Sequence, residues 1–535
     1  MEYDVAKAIE RIEDELIYSI MRNLKRHRAE ETKEGFNWEM WQVKQLQSLN
    51  KFKKDNLKYK PKFAKLNKQI EELLIDMATD GSLDQEKAIL EAIKKGYKPP
   101  KRSSNKLDAT FFKYNSKKLE ALISETSKNM AKAETAILRM AHDKYRSIIF
   151  DAQMYAATGA GTYEKAVDMA TRDFLSAGIN CVEYSNGARH TLSNYARMAI
   201  RTASKRSYLQ GEGEQRKEWG IHTVIVNKRG NPCPKCLPFV GKVLIDDVWS
   251  GGSKKDGDYM LMSSAIAAGL YHPNCKDSHT TYFEGVTTRD ASFTKKEIET
   301  IKQDYLEEQK QLYAQNQAKK YRRLADNSLD EENIKKNEIK EEKWKNKLQT
   351  QYENFLKEHV PILSKVFDNE SMWNGKVIIE KLQPKERGHV QWDSGGIFIN
   401  EDYIDAFTES TCIHEAIHTF SGLHVDALIV KKNKAEKIEE ASVALFTKNY
   451  MQKINKPYSN SYSKFVEILE VLNRKFKFGE TDYDFAIKLL NIPLDKRYDW
   501  LYKTVYDKMI EMQASINDID EVMFYIEELY GNLEG

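Results

Sequence analysis

The chain has 535 residues, of which 31% are charged, 41% hydrophobic and 11% aromatic, and its formal net charge is +3. That much apolar material under a polar surface excludes wholesale disorder, and the length exceeds what one core supports, so roughly two to four domains are expected. The small net charge excludes a chain-wide electrostatic pull on nucleic acid or membrane; any such contact would have to be local.

The chain opens on Met1-Glu2-Tyr3-Asp4-Val5, which is polar and acidic and has no basic n-region or apolar h-region, so no signal peptide is expected. No uninterrupted apolar run reaches the roughly 20 residues of a membrane-spanning helix, and no membrane role is expected. From about Asp4 to Gly96 apolar residues recur at three- and four-residue intervals, with Ile9, Ile12, Leu16 and Ile20 as one stripe and Trp38, Trp41, Leu46 and Leu49 as another. This spacing predicts a helical bundle whose stripes form its core. The run Lys98-Pro99-Pro100-Lys101-Arg102-Ser103-Ser104 predicts a boundary.

Helical spacing resumes from Leu119 to Tyr208, with Ile123, Met130, Ile137, Met140 and Ile148 as core positions and Gly159, Gly161 and Gly187 as punctuation. Ile221-His222-Thr223-Val224-Ile225-Val226 is rich in β-branched residues and leads into turn residues and cysteines, which predicts a small β-rich knuckle. Here Cys233-Pro234-Lys235-Cys236 and His272-Pro273-Asn274-Cys275 supply two ligand pairs. Together they could close a tetrahedral Cys3His zinc site that contributes folding energy rather than chemistry, with His279 as a spare candidate. Five cysteines, three of them in these pairs, favour a metal site over a disulfide ladder, and Cys181 and Cys412 read as small buried hydrophobes.

Residues 294 to 358 are dense in Lys, Glu and Gln, with Tyr305, Leu312 and Tyr321 spaced widely among them and no Pro or Gly interrupting the run, which predicts a long exposed helix or a pair of them. Two basic runs, Lys25-Arg26-His27-Arg28 and Lys319-Lys320-Tyr321-Arg322-Arg323, are the places where DNA contact could arise; solvated helical faces are the simpler reading. After Pro361, Lys376 to Glu380 and Gly396 to Asn400 read as strands and the remainder as helices.

Thr411 to Phe420 contains His414-Glu415-Ala416-Ile417-His418, and Ile413, Ala416, Ile417 and Phe420 share helical spacing. Thr408 or Ser410 is the expected N-cap and Gly422 the expected C′ residue. One helical turn separates His414 from His418, so both imidazoles can reach one catalytic zinc, and Glu415 would take the proton of a zinc-activated water. The strand Gly395 to Asn400 could line a cleft by pairing with an extended peptide. Ile438-Glu439-Glu440-Ala441-Ser442 offers a carboxylate, Glu439 or Glu440, as the third ligand; His424 reads as surface.

His414 to His418 followed by Glu439-Glu440-Ala441 resembles the gluzincin metallopeptidases over about residues 376 to 462, which implies an α+β zincin-like domain hydrolysing peptide bonds, with Glu440 as the third ligand and Glu439 as the alternative. Upstream, Met198 to Thr202, the two Cys/His pairs, Gly241-Lys242-Val243, Tyr282-Phe283-Glu284-Gly285, Glu308-Gln309-Lys310 and Lys320 to Ala325 together resemble the phage minor capsid protein 2 family over residues 1 to 355. That resemblance implies a virion protein made in the host bacterial cytoplasm, near the portal, contacting other head proteins in head assembly or DNA delivery. The expectation is therefore a mainly α, multidomain chain: a helical region at 1–100, a helical minor-capsid domain with the knuckle at 101–290, a charged helical linker at 291–360 and a zinc peptidase at 361–535. The competing readings are a virion protein with an inactive zincin-like fold, and a nucleic-acid-binding head protein.

Overall fold

A computed structural model describes residues 2–34, 38–101, 117–157, 162–184, 187–228, 232–273, 275, 277–288, 293–384, 386–420, 435–454, 456–459 and 462–531. These are mainly helical and form two compact units, Met1–Lys310 with Lys319–Glu341, and Gln311–Ala318 with Glu342–Gly535. Among the described residues no helix is long and apolar enough to cross a membrane.

The first unit opens with α1 (Glu2–Glu34), α2 (Trp38–Asn56) and α3 (Tyr59–Lys94), followed by α4 (Lys117–Ala157) and α5 (Tyr163–Ala177). An antiparallel hairpin of β1 (Asn180–Glu183) and β2 (Arg189–Thr191) then leads into α6 (Leu192–Glu218). The stripe Ile9, Ile12, Leu16 and Ile20 is buried in this core together with Met130, Ile137 and Ile148, while Ile123, Met140 and Leu49 are partly buried against it. The side chains of Trp38, Trp41 and Leu46, as well as Gly159 and Gly161, lie outside the described residues. The hairpin was not legible in the sequence. It is seated by the buried Glu13 of α1, whose carboxylate accepts from Ile179 N at 3.0 Å and Ser193 N at 2.9 Å. α3 and α6 meet at two glycines, Gly81 and Gly211, where side chains would prevent the approach.

The β-rich knuckle of the same unit contains β3 (Thr223–Val226), β4 (Val243–Ile245), β5 (Met260–Leu261), α7 (Met262–Ala267) and β6 (His279–Thr281), and its sheet runs β5-β4-β3-β6. Its contact with α6 passes through a fully buried ion pair, Arg216 Nη2 to Asp246 Oδ2 at 2.8 Å. The charged stretch beyond it forms two helices, α8 (Lys295–Asn327), opened by a capping box between Thr294 and Glu297, and α9 (Glu331–Leu363). Asp168 of α5 organises the turn between them by accepting from Leu329 N at 2.7 Å and Asn333 Nδ2 at 2.9 Å.

The second unit has a three-stranded sheet of β7 (Val377–Glu380), β8 (Gly388–Gln391) and β9 (Gly396–Asn400), followed by α10 (Thr408–His418) and α11 (Glu436–Lys453). Helices α12 (Ser463–Phe476), α13 (Asp482–Asn491), α14 (Leu494–Glu511) and α15 (Ile516–Glu527) complete it. Its core joins Leu348, Tyr352 and Leu356 of α9 to Ile397 and Ile399 of the sheet, Ile413 and Ile417 of α10, and Ile438 and Leu445 of α11.

Two local expectations are corrected by the structure. The strand at Gly396–Asn400 is the central strand, parallel to β7 and antiparallel to β8, so its edges are already used and it has none for a peptide. The edge positions on either side of it belong to β7 and β8. Neither Thr408 nor Ser410 caps α10, whose N-cap is Phe407; Thr408 Oγ1 instead accepts from Asp405 N at 2.8 Å and donates to Asp405 O at 2.9 Å. Gly422 and His424 lie outside the described residues.

Candidate metal centres

Helix α10 has an apolar face of Cys412, Ile413, Ala416 and Ile417 buried in the core of the second unit, and this fixes where its polar residues point. His414 and His418, one turn apart, turn their Nε2 atoms toward each other at 3.3 Å. Glu440, carried on α11, closes the group, with Oε2 at 2.9 Å from His414 Nε2 and Oε1 at 3.5 Å from His418 Nε2. These three donors lie within 4.8 Å of one another. Glu439, adjacent in sequence, points elsewhere: its Oε1 accepts from His418 Nδ1 at 3.0 Å and its Oε2 is paired with Arg497.

The electrostatics of this centre call for a positive charge. Burial pulls the His418 imidazole toward its neutral form, yet Glu440 and Glu439 together push its pKa well above the usual histidine value. Glu440 sits far below the usual carboxylate range against the pull of its burial, because His418 and His414 face it. Two imidazoles and a carboxylate converging, with His418 buried and His414 and Glu440 partly buried, suit a proton on His418 or, equally, a divalent cation in place of that proton. The donor set, two nitrogens and a carboxylate oxygen, matches the three-ligand pattern of catalytic zinc.

Glu415 is buried beside the two histidines, and loss of solvent raises its carboxyl pKa. The strand β8 lies against it through Gly388, where a Cβ would come within 3.3 Å of Glu415 Cγ and 3.0 Å of Thr411 Cγ2. Arg387 fixes the entry to that strand by pairing with Asp405 Oδ1 at 2.7 Å, next to the start of α10. Tyr462 stacks on His414 with ring centroids 6.0 Å apart and an interplanar angle of 16°. Sequence reasoning missed Gly388, Tyr462 and Arg497. None lies within a motif, and only the fold brings them to the histidines.

In the first unit the four knuckle residues gather as two overlapping groups. Cys233, Cys236 and His272 lie within 4.8 Å of one another, as do Cys236, Cys275 and Asp277. Cys233 Sγ is 3.0 Å from His272 Nε2 and Cys236 Sγ is 3.3 Å from Cys275 Sγ. No disulfide forms, since all five cysteines are thiols. Asp277, absent from the sequence-based ligand set, has a buried Oδ1 with no hydrogen-bond partner, and a carboxylate held beside paired thiols gains from a cation between them. His279 is directed elsewhere, with Nδ1 2.8 Å from Tyr271 Oη and Nε2 3.2 Å from Arg216 Nη2. Cys412 is fully buried in the second core and Cys181 is half-buried against the first.

The basic run on α8 is answered by acids of its own unit: Lys319 pairs with Glu10 at 2.8 Å, Arg323 with Asp14 at 2.8 Å and Arg322 with Asp326 at 3.8 Å. In the N-terminal run Arg26 Nη2 donates to Asn23 Oδ1 at 2.6 Å, while the side chains of His27 and Arg28 lie outside the described residues.

A family model described as phage minor capsid protein 2 matches residues 4–353, well over half of the chain. The chain belongs to the phage minor capsid protein 2 family. Membership makes it a structural protein of the phage particle. The Cys/His knuckle lies inside the span that the minor capsid protein 2 family covers, whereas His414, His418 and Glu440 lie beyond it. No curated protein and no solved structure matches the chain significantly.

Proposed function

We propose that this minor capsid protein carries a zinc-dependent peptidase in its second unit, acting on a peptide or protein substrate. The observation that carries the reading is the meeting of His414, His418 and Glu440 from two helices, with the buried carboxylate of Glu415 beside them. His414, His418 and Glu440 would hold the metal. Bound zinc supplies a Lewis acid that acidifies water and polarises a carbonyl. Glu415, its pKa raised by burial, is suited to receive a proton from the attacking water and return it to the leaving amine. The edge strand β8, held against α10 by Gly388, is placed to align an extended chain beside that carboxylate.

The knuckle supports a second, structural metal. Cys233, Cys236, His272 and Cys275 would hold a zinc with no open position, its role being to pin the sheet to α6. Portal and other head proteins are the proposed partners of the first unit, in line with its family.

The test is incubation of the zinc-loaded full chain with a mixture of unstructured peptides, read by mass spectrometry, beside a Glu415→Gln variant. Wild type should cleave, and the variant should lose at least about a hundredfold in rate while retaining its zinc. Intact peptides with zinc-loaded wild type, or equal cleavage by the variant, would overturn the peptidase reading.

A further inference from the structure

Glu439 and Glu440 are neighbours on α11, yet a helix turns about 100° per residue, so their carboxylates leave in different directions. Glu440 reaches the face of the histidine pair, whereas Glu439 reaches the far side of the His418 ring. The two nitrogens of His418 are thereby divided: Nε2 faces His414 and Glu440, and Nδ1 faces Glu439 Oε1 at 3.0 Å. A neutral imidazole whose Nδ1–H is given to a carboxylate keeps its lone pair on Nε2, the atom that looks toward the donor cluster and that a cation would take in place of a second proton.

Glu439 is itself held. Its second oxygen is paired with Arg497 Nη1, and Arg497 is pinned in turn by the backbone, with Nη2 donating to Leu490 O at 3.3 Å and Ile492 O at 3.2 Å. Those carbonyls lie at the end of α13 and just beyond it, and Arg497 lies on α14. Arg497 is 1% exposed and Glu439 5%. An ion pair buried this deeply costs desolvation energy that a surface pair does not, and an apolar pair of similar volume would fill the same space. Its geometry instead ends on one nitrogen of one histidine.

We propose that Glu439 and Arg497 are positioning residues that hold His418 in its Nδ1–H tautomer and so set the metal affinity of the His414, His418 and Glu440 site. The relay runs from the Leu490 and Ile492 carbonyls through Arg497 and Glu439 to His418 and does not include Glu440. This inference rests on those three residues being the metal ligands, and its test separates the two claims.

The full chain is stripped with a chelator and titrated with Zn2+ against a chromophoric competitor, and separately with Co2+ to record the visible ligand-field bands. The difference between wild type and His414→Ala isolates the second-unit site. Glu439→Gln should bind Zn2+ there roughly 10- to 100-fold more weakly than wild type, with altered cobalt bands. Arg497→Lys, which keeps the charge but loses the fork, should fall between Glu439→Gln and wild type, and it supplies the reading if Glu439→Gln fails to fold. If His414→Ala retains all the metal of wild type, the ligand assignment fails and the relay with it. If His414→Ala loses one ion while Glu439→Gln and Arg497→Lys keep wild-type affinity and cobalt bands, the ligands stand and the relay is overturned.

Discussion

Gly81 on α3 and Gly211 on α6 let two helices touch backbone to backbone: a Cβ on Gly211 would lie 1.9 Å from Ala78 O, and one on Gly81 would lie 2.2 Å from Tyr208 O. Replacing a mid-helix glycine by alanine ordinarily stabilises a helix by about 1 kcal/mol. Here the atom struck is backbone and cannot swing aside. Gly211→Ala should therefore destabilise the first unit, by roughly 1–3 kcal/mol net as α3 and α6 are forced apart, which denaturant unfolding would measure. A variant as stable as wild type would mean that the two helices cross with room to spare.

Glu10 gives a pH prediction with a definite sign. Burial pulls its pKa up, but Lys319, Arg197 and Arg323 together bring it down from 4.5 to about 2. A carboxyl depressed in the folded state adds stability above its unfolded pKa and loses it as pH falls through the folded one. The stability gap between wild type and Glu10→Gln should thus be full above about pH 5 and should shrink steadily between pH 4.5 and pH 2. A gap that stays constant over this range, measured by denaturation at stepped pH, would show that Glu10 is not held in its ionised form.

Metal content tests both donor clusters at once. The purified wild-type chain should carry about two zinc ions, one of them lost in His414→Ala and the other in Cys236→Ser. Elemental analysis decides it, and a wild type that stays metal-free under zinc excess would remove both assignments.

Gly388 offers a substitution that spares the ligands. A Cβ there would meet Phe398 O at 2.8 Å as well as Thr411 and Glu415, so Gly388→Ala should push β8 off α10 and shift the carboxylate of Glu415. Peptide cleavage should fall by about tenfold or more with zinc content unchanged, since small misplacements of a catalytic group cost that much. Equal rates in the two proteins would detach the strand from the chemistry.

The helices were legible wherever an apolar stripe was long, as in Ile9, Ile12, Leu16 and Ile20, because a 3.6-residue period sustained over several turns puts every apolar side chain on one side of a helix and scatters them over both faces of a strand. Strands β7 and β9 were legible from their β-branched runs. Strand β8, reading Gly-His-Val-Gln, has one apolar residue and a glycine at its start, and only its pairing with β9 makes it a strand. At the candidate site, the spacing of His414 and His418 could be read directly. The choice between Glu439 and Glu440 could not, because both sit on the same turn and the rotation of α11 about its axis divides their roles. Arg497, 58 residues beyond Glu439, carries no local mark at all.

The core of the second unit begins well before its sheet. Leu348, Tyr352 and Leu356 of α9 and Ala314 and Ala318 of α8 are buried in it, although all precede Pro361 in the chain. Proteolytic excision anywhere after α9 would strip these five core side chains, and Leu363 with them, from the fragment that carries the histidines, and such a fragment should aggregate or melt early. Domain shuffling of this module therefore has to carry parts of both helices along with it, which sets the smallest transferable piece well upstream of the first strand.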